Sequence, residues 1–386
     1  MGADFLPGNR ITLLNSGAEF FPALRAAIDG ATESVHLETY IFEADDTGLA
    51  IAATLSRAAQ RGVAVRVLVD GFGAREFPRT LMPALVADGV QVLVYRPELA
   101  PFRLRRHRLR RLHRKITVVD GRIAFVGGIN IIDDRNTPHQ VPPRYDYAVR
   151  LEGPLLAPVQ RAVQHLWELV VWASFRRRYR LPAPTPACCP ITGQQTAAFL
   201  IRDNLRHRRD IEDAYLEAIA GARQEILIAN AYFLPGRRFR EALKAATERG
   251  VQVTVLLQGR VEYRLLHYAT QALYGPLLEA GIRIVEYHRS FLHAKVAVVD
   301  GSWATVGSSN IDPFSLLLAR EANVVVKDQG FAEQLQASLE QAMQEGSREL
   351  LPGRWRRLPW HSRLMRRLAY SLVRLLIGIA GYGAKH

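Results

Sequence analysis

LHRKITVVDGRIAFVGGIN, residues 112–130, and LHAKVAVVDGSWATVGSSN, residues 292–310, are one string written twice. Each contains His-x-Lys-x4-Asp: His113, Lys115 and Asp120 in the first copy, His293, Lys295 and Asp300 in the second. The apolar runs ITVV and VAVV read as buried strands, on which alternation puts His and Lys on one face. An Asp-Gly pair turns the chain, and a hairpin partner brings Asn130 or Asn310 back towards the level of its His. A further strand opens with Asp146 in RYDYAV and with Glu321 in AREANVVV.

The duplication extends outward from this core. ESVHLETYIFEADDTGLAIAATLSRAAQRGVAVRVLVDG, from Glu33, is matched by QEILIANAYFLPGRRFREALKAATERGVQVTVLLQG, from Gln224. Both read as strand, turn, amphipathic helix, Gly at the helix end and apolar strand. ADGVQVLVYRP and EAGIRIVEYHR then repeat a helix end and a strand. Helices alternating with apolar strands argue for a largely parallel sheet covered on both faces, one sheet per copy. A period this long, present twice, is a gene duplication rather than a solenoid. LPAPTPACCP, residues 181–190, with four prolines and no charge, marks the joint between the copies.

Composition narrows the partners. The chain has 386 residues and a formal charge of +14, which suits anionic membrane surfaces, phosphate-rich polymers or acidic metabolites. Its two cysteines, Cys188 and Cys189, are adjacent and form no disulfide framework, which fits a reduced, cytosol-facing compartment. The amino terminus lacks a basic stretch followed by an apolar core, and no eighteen uninterrupted apolar residues occur. The expected location is peripheral or monotopic on the cytoplasmic side of a bacterial cell membrane.

Side-chain types suggest the chemistry. Lys and Asn donors stabilise charge on the non-bridging oxygens of a phosphodiester. A neutral imidazole is a nucleophile, and a second, protonated one gives a departing alkoxide its proton. A carboxylate behind a His fixes its tautomer. One copy lacks the second imidazole; two copies face to face complete the set. A Lys beside each His repels a divalent cation, and neither HExxH nor paired-Cys spacing occurs, so neither metal nor cofactor is expected.

These strings resemble the paired HKD motifs of the phospholipase D superfamily, and ETYIF, GGINI and RYDYAVRLEGP resemble its bacterial cardiolipin synthases of the shorter type without amino-terminal transmembrane helices. The resemblance implies an α/β fold of two pseudo-twofold-related α/β/α domains with central mixed sheets and a C-terminal basic amphipathic segment. The expected divisions are 1–185, 186–346 and 347–386. It also implies a metal-free, ping-pong phosphatidyl transfer through a phosphohistidine, from phosphatidylglycerol to a second phosphatidylglycerol, with glycerol released. It carries His113, Lys115, Asp120, His293, Lys295 and Asp300 into the catalytic set, the two Asp with a more structural part. Asn130, Asn310, Ser308, Asp146 and Glu321 become phosphate-binding or orienting residues. Gly128 stands where the second copy has Ser308, a poorer donor set.

Two basic stretches lie outside the duplicated pattern. FRLRRHRLRRLHRK places Arg103, Arg105, Arg106, Arg108, Arg110 and Arg111 immediately before His113, positioned to capture anionic headgroups. The tail interleaves Trp355 and Trp360 with basic residues including Arg366 and Arg367, as an interfacial helix does. The expected partners are anionic phospholipids and a membrane surface, with no obligate protein partner. A nucleic-acid phosphodiesterase of the same superfamily and a non-catalytic membrane-surface protein are the rival readings.

Overall fold

The computed structural model describes residues 3–97, 110–138, 140–181, 189–203, 206–261, 263–312, 319–356 and 359–377. Arg103, Arg105, Arg106 and Arg108 lie outside the described residues. The first half contributes strands β1 (Leu6–Asn15), β2 (Ser34–Thr39), β3 (Ala64–Asp70), β4 (Gln91–Tyr95), β5 (Lys115–Val119), β6 (Ile123–Gly127), β7 (Arg144–Tyr145) and β8 (Tyr147–Glu152). The second contributes β9 (Gln195–Arg202), β10 (Glu225–Asn230), β11 (Gln252–Gln258), β12 (Arg283–Tyr287), β13 (Phe291–Leu292), β14 (Lys295–Val299), β15 (Trp303–Gly307), β16 (Glu321–Lys327) and β17 (Ser347–Glu349).

The main sheet runs β17-β12-β11-β10-β14-β15-β16-β9-β1-β8-β6-β5-β2-β3-β4, so the same strand order occurs twice, back to back, about the β9–β1 joint. The sheet is mixed α/β. Within this main sheet parallel pairing is confined to β2–β3–β4 and β10–β11–β12, whose crossover helices demand it. The Asp-Gly turns make β5–β6 and β14–β15 antiparallel hairpins, which breaks the largely parallel pattern expected from the sequence. Nor are there two separate main sheets. β1 pairs with β9 through Leu6–Ala197 and Asn9–Gln195 and joins the halves into one.

The joint is also packed. One buried cluster takes Ile116, Val126 and Val149 from the first half and Val296, Val306 and Val324 from the second. Helices Leu156–Ala173 and Gln329–Gly346 close over it with Val159, Val163, Leu335 and Leu339. The halves therefore meet through a shared interior rather than a solvated seam.

Asp120 and Asp300 lie in the hairpin turns, in left-handed backbone (φ 51° and 49°), and each is followed by a left-handed Gly. Two successive positive φ values make the tight turn whose twist matches the strands. The Asp120 carboxylate accepts from the backbone N–H of Thr32, Glu33 and Ser34 at 2.8–2.9 Å. Asp300 accepts from Arg223, Gln224 and Glu225 at 2.8–3.0 Å. Burial would raise both acids, but these amides outweigh it and hold them below the ordinary carboxylate range. Five residues beyond its Lys, each sits about 17 Å away along the strand. Their place in the catalytic set is thus corrected: they tie the hairpin to the start of the neighbouring strand.

The tail is part of the body as well as a surface. The helix Trp360–Ile377 packs on Arg264–Glu279, and its Ala369 and Val373 are buried in the core of the second half. Trp355 lies 5.2 Å from Tyr274, the Arg366 guanidinium lies 5.0 Å over Trp355, and Arg366 Nε donates to Gln271 at 2.8 Å. Trp355 and Arg366 therefore turn inward, contrary to the expected membrane contact. Trp360 and Arg367 remain outward, beside exposed Leu364, Leu368, Leu372 and Leu375. No helix among the described residues is long and apolar enough to cross a membrane.

Replacing Asp300 by Ala leaves three amides of the β10 approach without their acceptor. The expected cost is about 1–3 kcal/mol, read as a lower urea midpoint, with turnover kept within a few-fold. A loss of activity with an unchanged midpoint would return the residue to the site.

Candidate functional site

The residue before each His is stitched to the opposite half. Leu112 bridges Arg320, and the His113 and Arg114 N–H groups donate to the Arg320 carbonyl at 3.0 and 2.8 Å. β13 pairs in parallel with β7, and the His293 N–H donates to the Tyr145 carbonyl at 2.8 Å. Each His therefore enters beside the residue that precedes the other half's acid.

The consequence is a crossed arrangement. His113 Nδ1 lies 3.0 Å from both Glu321 carboxylate oxygens. His293 Nδ1 lies 2.6 Å from Asp146 Oδ2. Each acid thus serves the His of the opposite half. Nδ1 of both rings faces an acceptor, so the Nδ1–H tautomer is fixed and Nε2 is left to react.

The two lysines are buried beside them. Lys115 Nζ donates to the His113 carbonyl at 2.5 Å. Lys295 Nζ donates to the His293 carbonyl and to Asp146 at 3.3 Å, and lies 2.7 Å from His293 Nδ1. Burial lowers Lys115 to about 7 against the attraction of Glu321, with Lys295 adding repulsion. Burial also lowers Lys295, although Asp146 pulls the other way. His113 falls below its ordinary value through burial, opposed by Glu321; His293 falls to about 3 through burial and Lys295. Burial would raise Asp146, but Lys295 and His293 bring it below the usual carboxylate range. These mutual influences bring both His-Lys pairs into one electrostatic unit.

The remaining expected residues divide. Asn130 is buried at the site, its Oδ1 accepting from the Ile41 N–H at 3.1 Å, which leaves the amide hydrogens as its donors. Asn310 is buried at the matching position. Ser308 does not act as a direct phosphate donor here: its hydroxyl donates to Glu321 Oε2 at 2.6 Å and accepts from the Ala322 N–H at 3.0 Å. It positions the acid. In the first half a Cβ on Gly128 would stand 2.4 Å from Asp146 Oδ1, so Gly is required where the carboxylate comes closest. The Gly128–Asp146 and Ser308–Glu321 pairs are two solutions to one packing problem.

Several site residues escaped the sequence reading. Asp70 Oδ2 accepts the Leu112 N–H at 2.8 Å, and Gln258 Oε1 accepts the Leu292 N–H at 3.4 Å. They end the matched strings VRVLVD and VTVLLQ, and that offset is the signal that could have found them. Arg111 lies 3.8 Å from Asp70 and 5.0 Å over the Phe72 ring, at the site's edge, while Arg110 is half-buried. The Tyr40 ring lies 5.0 Å from His113 and 5.5 Å from Lys115 Nζ. Arg114 forms a buried two-pronged pair with Glu38 at 2.5 and 2.9 Å. In the second half, register places Ala294 and Ala229 at those positions. Among the described residues, no three His, Cys, Asp or Glu cluster so as to hold a metal ion.

The family described as "Cardiolipin synthase, PLD-like domain" matches residues 24–167 and 215–343. The chain is 38% identical over 390 residues to cardiolipin synthase B of Escherichia coli (strain K12), covering 100% of this chain and 93% of that protein. It is 33% identical over 341 residues to cardiolipin synthase A of Pseudomonas putida (strain KT2440), covering 88% and 69% respectively. The crystal structure of phosphatidylserine synthase from Haemophilus influenzae Rd KW20 superposes with a TM-score of 0.71 at 14% identity, over 98% of this chain and 97% of that one.

Glu321→Gln and Asp146→Asn keep shape but remove the charge behind each imidazole. Each is expected to lower turnover of a phosphodiester substrate by about 10²–10⁴-fold, with near-wild-type circular dichroism. Turnover above a tenth of wild type in either variant would contradict the orienting role.

Proposed function

Because the chain belongs to the family of cardiolipin synthases with phospholipase D-like domains, we propose that its two imidazoles carry a phosphatidyl group from one phosphatidylglycerol to another. The protein is a cardiolipin synthase-like phosphatidyltransferase. One His attacks the donor phosphorus through Nε2, forming a P–N bond as the P–O bond to glycerol breaks. The other His, whose imidazolium form the bound phosphodiester anion favours, gives its proton to the departing glycerol oxygen. That same His, now neutral, takes the proton from a hydroxyl of the second phosphatidylglycerol. The freed oxygen attacks phosphorus and the P–N bond breaks, so two phosphatidylglycerols become cardiolipin and glycerol. Lys115, Lys295 and the Asn130 and Asn310 amides stabilise charge on the non-bridging oxygens. One observation carries the reading: two imidazoles, each fixed at Nδ1 by a buried carboxylate, stand beside two buried lysines.

Substrate location follows from the tail. Its exposed leucines and Trp360, flanked by exposed Arg363 and Arg367, form an apolar face with a basic margin, the pattern of a helix lying in an anionic interface. The Tyr370 hydroxyl accepts from Arg240 at 3.3 Å, and Arg240 also donates to the Pro235 carbonyl at 3.0 Å. The helix therefore sits beside the loop that follows β10, at the end of the sheet that bears the site. The enzyme works from one side of the membrane, on lipids that stay in the bilayer.

Purified enzyme on phosphatidylglycerol in mixed micelles is expected to release one glycerol per cardiolipin formed. His113→Ala and His293→Ala are each expected to lose at least about 10³-fold, since neither imidazole has a substitute. Phosphatidic acid as the main product, or a variant retaining several per cent of turnover, would contradict the transfer reading.

The buried lysine sets a pH dependence. Lys115 is fully an ammonium only below about 7 in the free enzyme, so kcat/KM is expected to fall as pH rises through that value. A bound phosphodiester anion favours the ammonium, so kcat is expected to fall only at higher pH. Coincident profiles for the two parameters would contradict the assignment.

A further inference from the structure

The first half carries an aromatic and basic surface that the duplicated pattern leaves unexplained. The helix Leu156–Ala173 runs out into WASFRRRYR, residues 172–180. Trp172 is 75% exposed and Phe175 87%, with Leu169 half-uncovered one turn before them. Leu169 and Trp172, three apart, share one edge of the helix, and Phe175 follows just beyond its end.

Phe175 also has φ 56°, a left-handed conformation that Gly normally occupies at a helix end and a bulky ring adopts only under strain. The turn is well tied: the Phe175 N–H donates to the Trp172 carbonyl at 3.3 Å and the Arg176 N–H to the Val171 carbonyl at 3.1 Å. A chain that needed only to stop the helix would be better served by Gly. Here it holds a phenyl ring in water, and unrelieved strain of this kind gathers at functional positions.

The inner side of the segment ties it to the reaction centre. Val170, Val171 and Tyr179 are buried against Tyr95 and Leu112, the residue before His113. Trp167 Nε1 donates to the Tyr179 carbonyl at 2.8 Å, and Arg178 lies 4.9 Å over the Tyr179 ring. Arg178 and Arg180 are exposed, and Arg180 shares a groove with Trp172. An open groove of about 340 Å³ is lined by His165, Glu168, Leu169, Trp172, Arg180 and Leu181, with the Glu168 carboxylate taken up by the Leu181 N–H at 2.6 Å. Apolar rings at the tip with arginines around them match a lipid interface, where rings enter the acyl boundary and guanidiniums stay with phosphates.

We propose that Trp172 and Phe175 insert into the interface of an anionic bilayer while Arg178 and Arg180 meet headgroup phosphates. The first half then grips the membrane beside His113, as the tail helix grips it beside the second half. This rests on the transferase reading, since it takes the substrate to be held in an anionic bilayer. It adds a lipid-binding surface on the half that lacks the tail.

Phe175→Gly separates this role from a packing role, because Gly relieves the left-handed strain. The urea midpoint is expected to hold or rise, while affinity for vesicles of equal phosphatidylglycerol and phosphatidylcholine falls about tenfold, the scale of losing one partly buried ring. Trp172→Gln with Phe175→Gly is expected to weaken binding further, and Arg178→Ala with Arg180→Ala to remove part of its salt sensitivity. All are expected to keep micellar transfer. Unchanged vesicle affinity would overturn the proposal, as would a fall in midpoint that parallels the fall in binding. Loss of binding to single-stranded DNA with vesicle binding intact would overturn it in favour of a nucleic-acid surface. If the wild type makes no cardiolipin in micelles, the transferase reading fails while the vesicle measurement still decides this surface.

Discussion

Two carboxylates hold the architecture to its chemistry: Glu321 at 3.0 Å from His113, and Asp146 at 2.6 Å from His293, each reaching across from the opposite half. Both acids and both neighbouring lysines are almost wholly buried. Buried charges are tolerated only when paired, and removing one partner costs far more than the pair contributes. Neither half can therefore be complete alone, for each would bury an acid without its imidazole. The continuous sheet through β1 and β9, the common core and the two short inter-half pairings all serve to hold that crossing in register.

The halves answer one geometric demand with different residues. Glu321 needs the Ser308 hydroxyl to fix its longer side chain, whereas Asp146 lies so close to residue 128 that only Gly fits. The Glu38–Arg114 pair braces the first half from beneath, where the second has two alanines. Tyr40 lies against His113, while register gives Ala231 the corresponding place. Duplication set the frame, and divergence since then has left the two imidazoles in unequal surroundings, the condition for unequal roles.

Much of this was legible in the residues. The paired strings at 112–130 and 292–310 gave the strands, the hairpins and both His-Lys pairs, because strand alternation and Asp-Gly turns are local. The crossing was not legible. Nothing in RYDYAV or AREANVVV says that its acid faces the other half; only the docking of β7 on β13 and of Leu112 on Arg320 decides it. Asp120 and Asp300 were misplaced for a related reason, since an Asp five residues along a strand points to the far end of the sheet, where loop amides wait. In the tail, periodicity announced an amphipathic helix but not which face was spoken for. Trp355 and Arg366 went inward because Tyr274 and Gln271 offered partners, and the leucines stayed out.

The crossed pairing can be observed without turnover. Nitrogen-15 spectra of histidine-labelled protein, with the two site imidazoles assigned by substitution, report the tautomer and hydrogen bonding of each ring. Glu321→Gln is expected to move the ring-nitrogen resonances of His113 and leave those of His293 nearly in place, and Asp146→Asn to do the reverse. Should Glu321→Gln shift His293 while His113 stays unmoved, each acid would belong to its own half and the crossed site would be wrong.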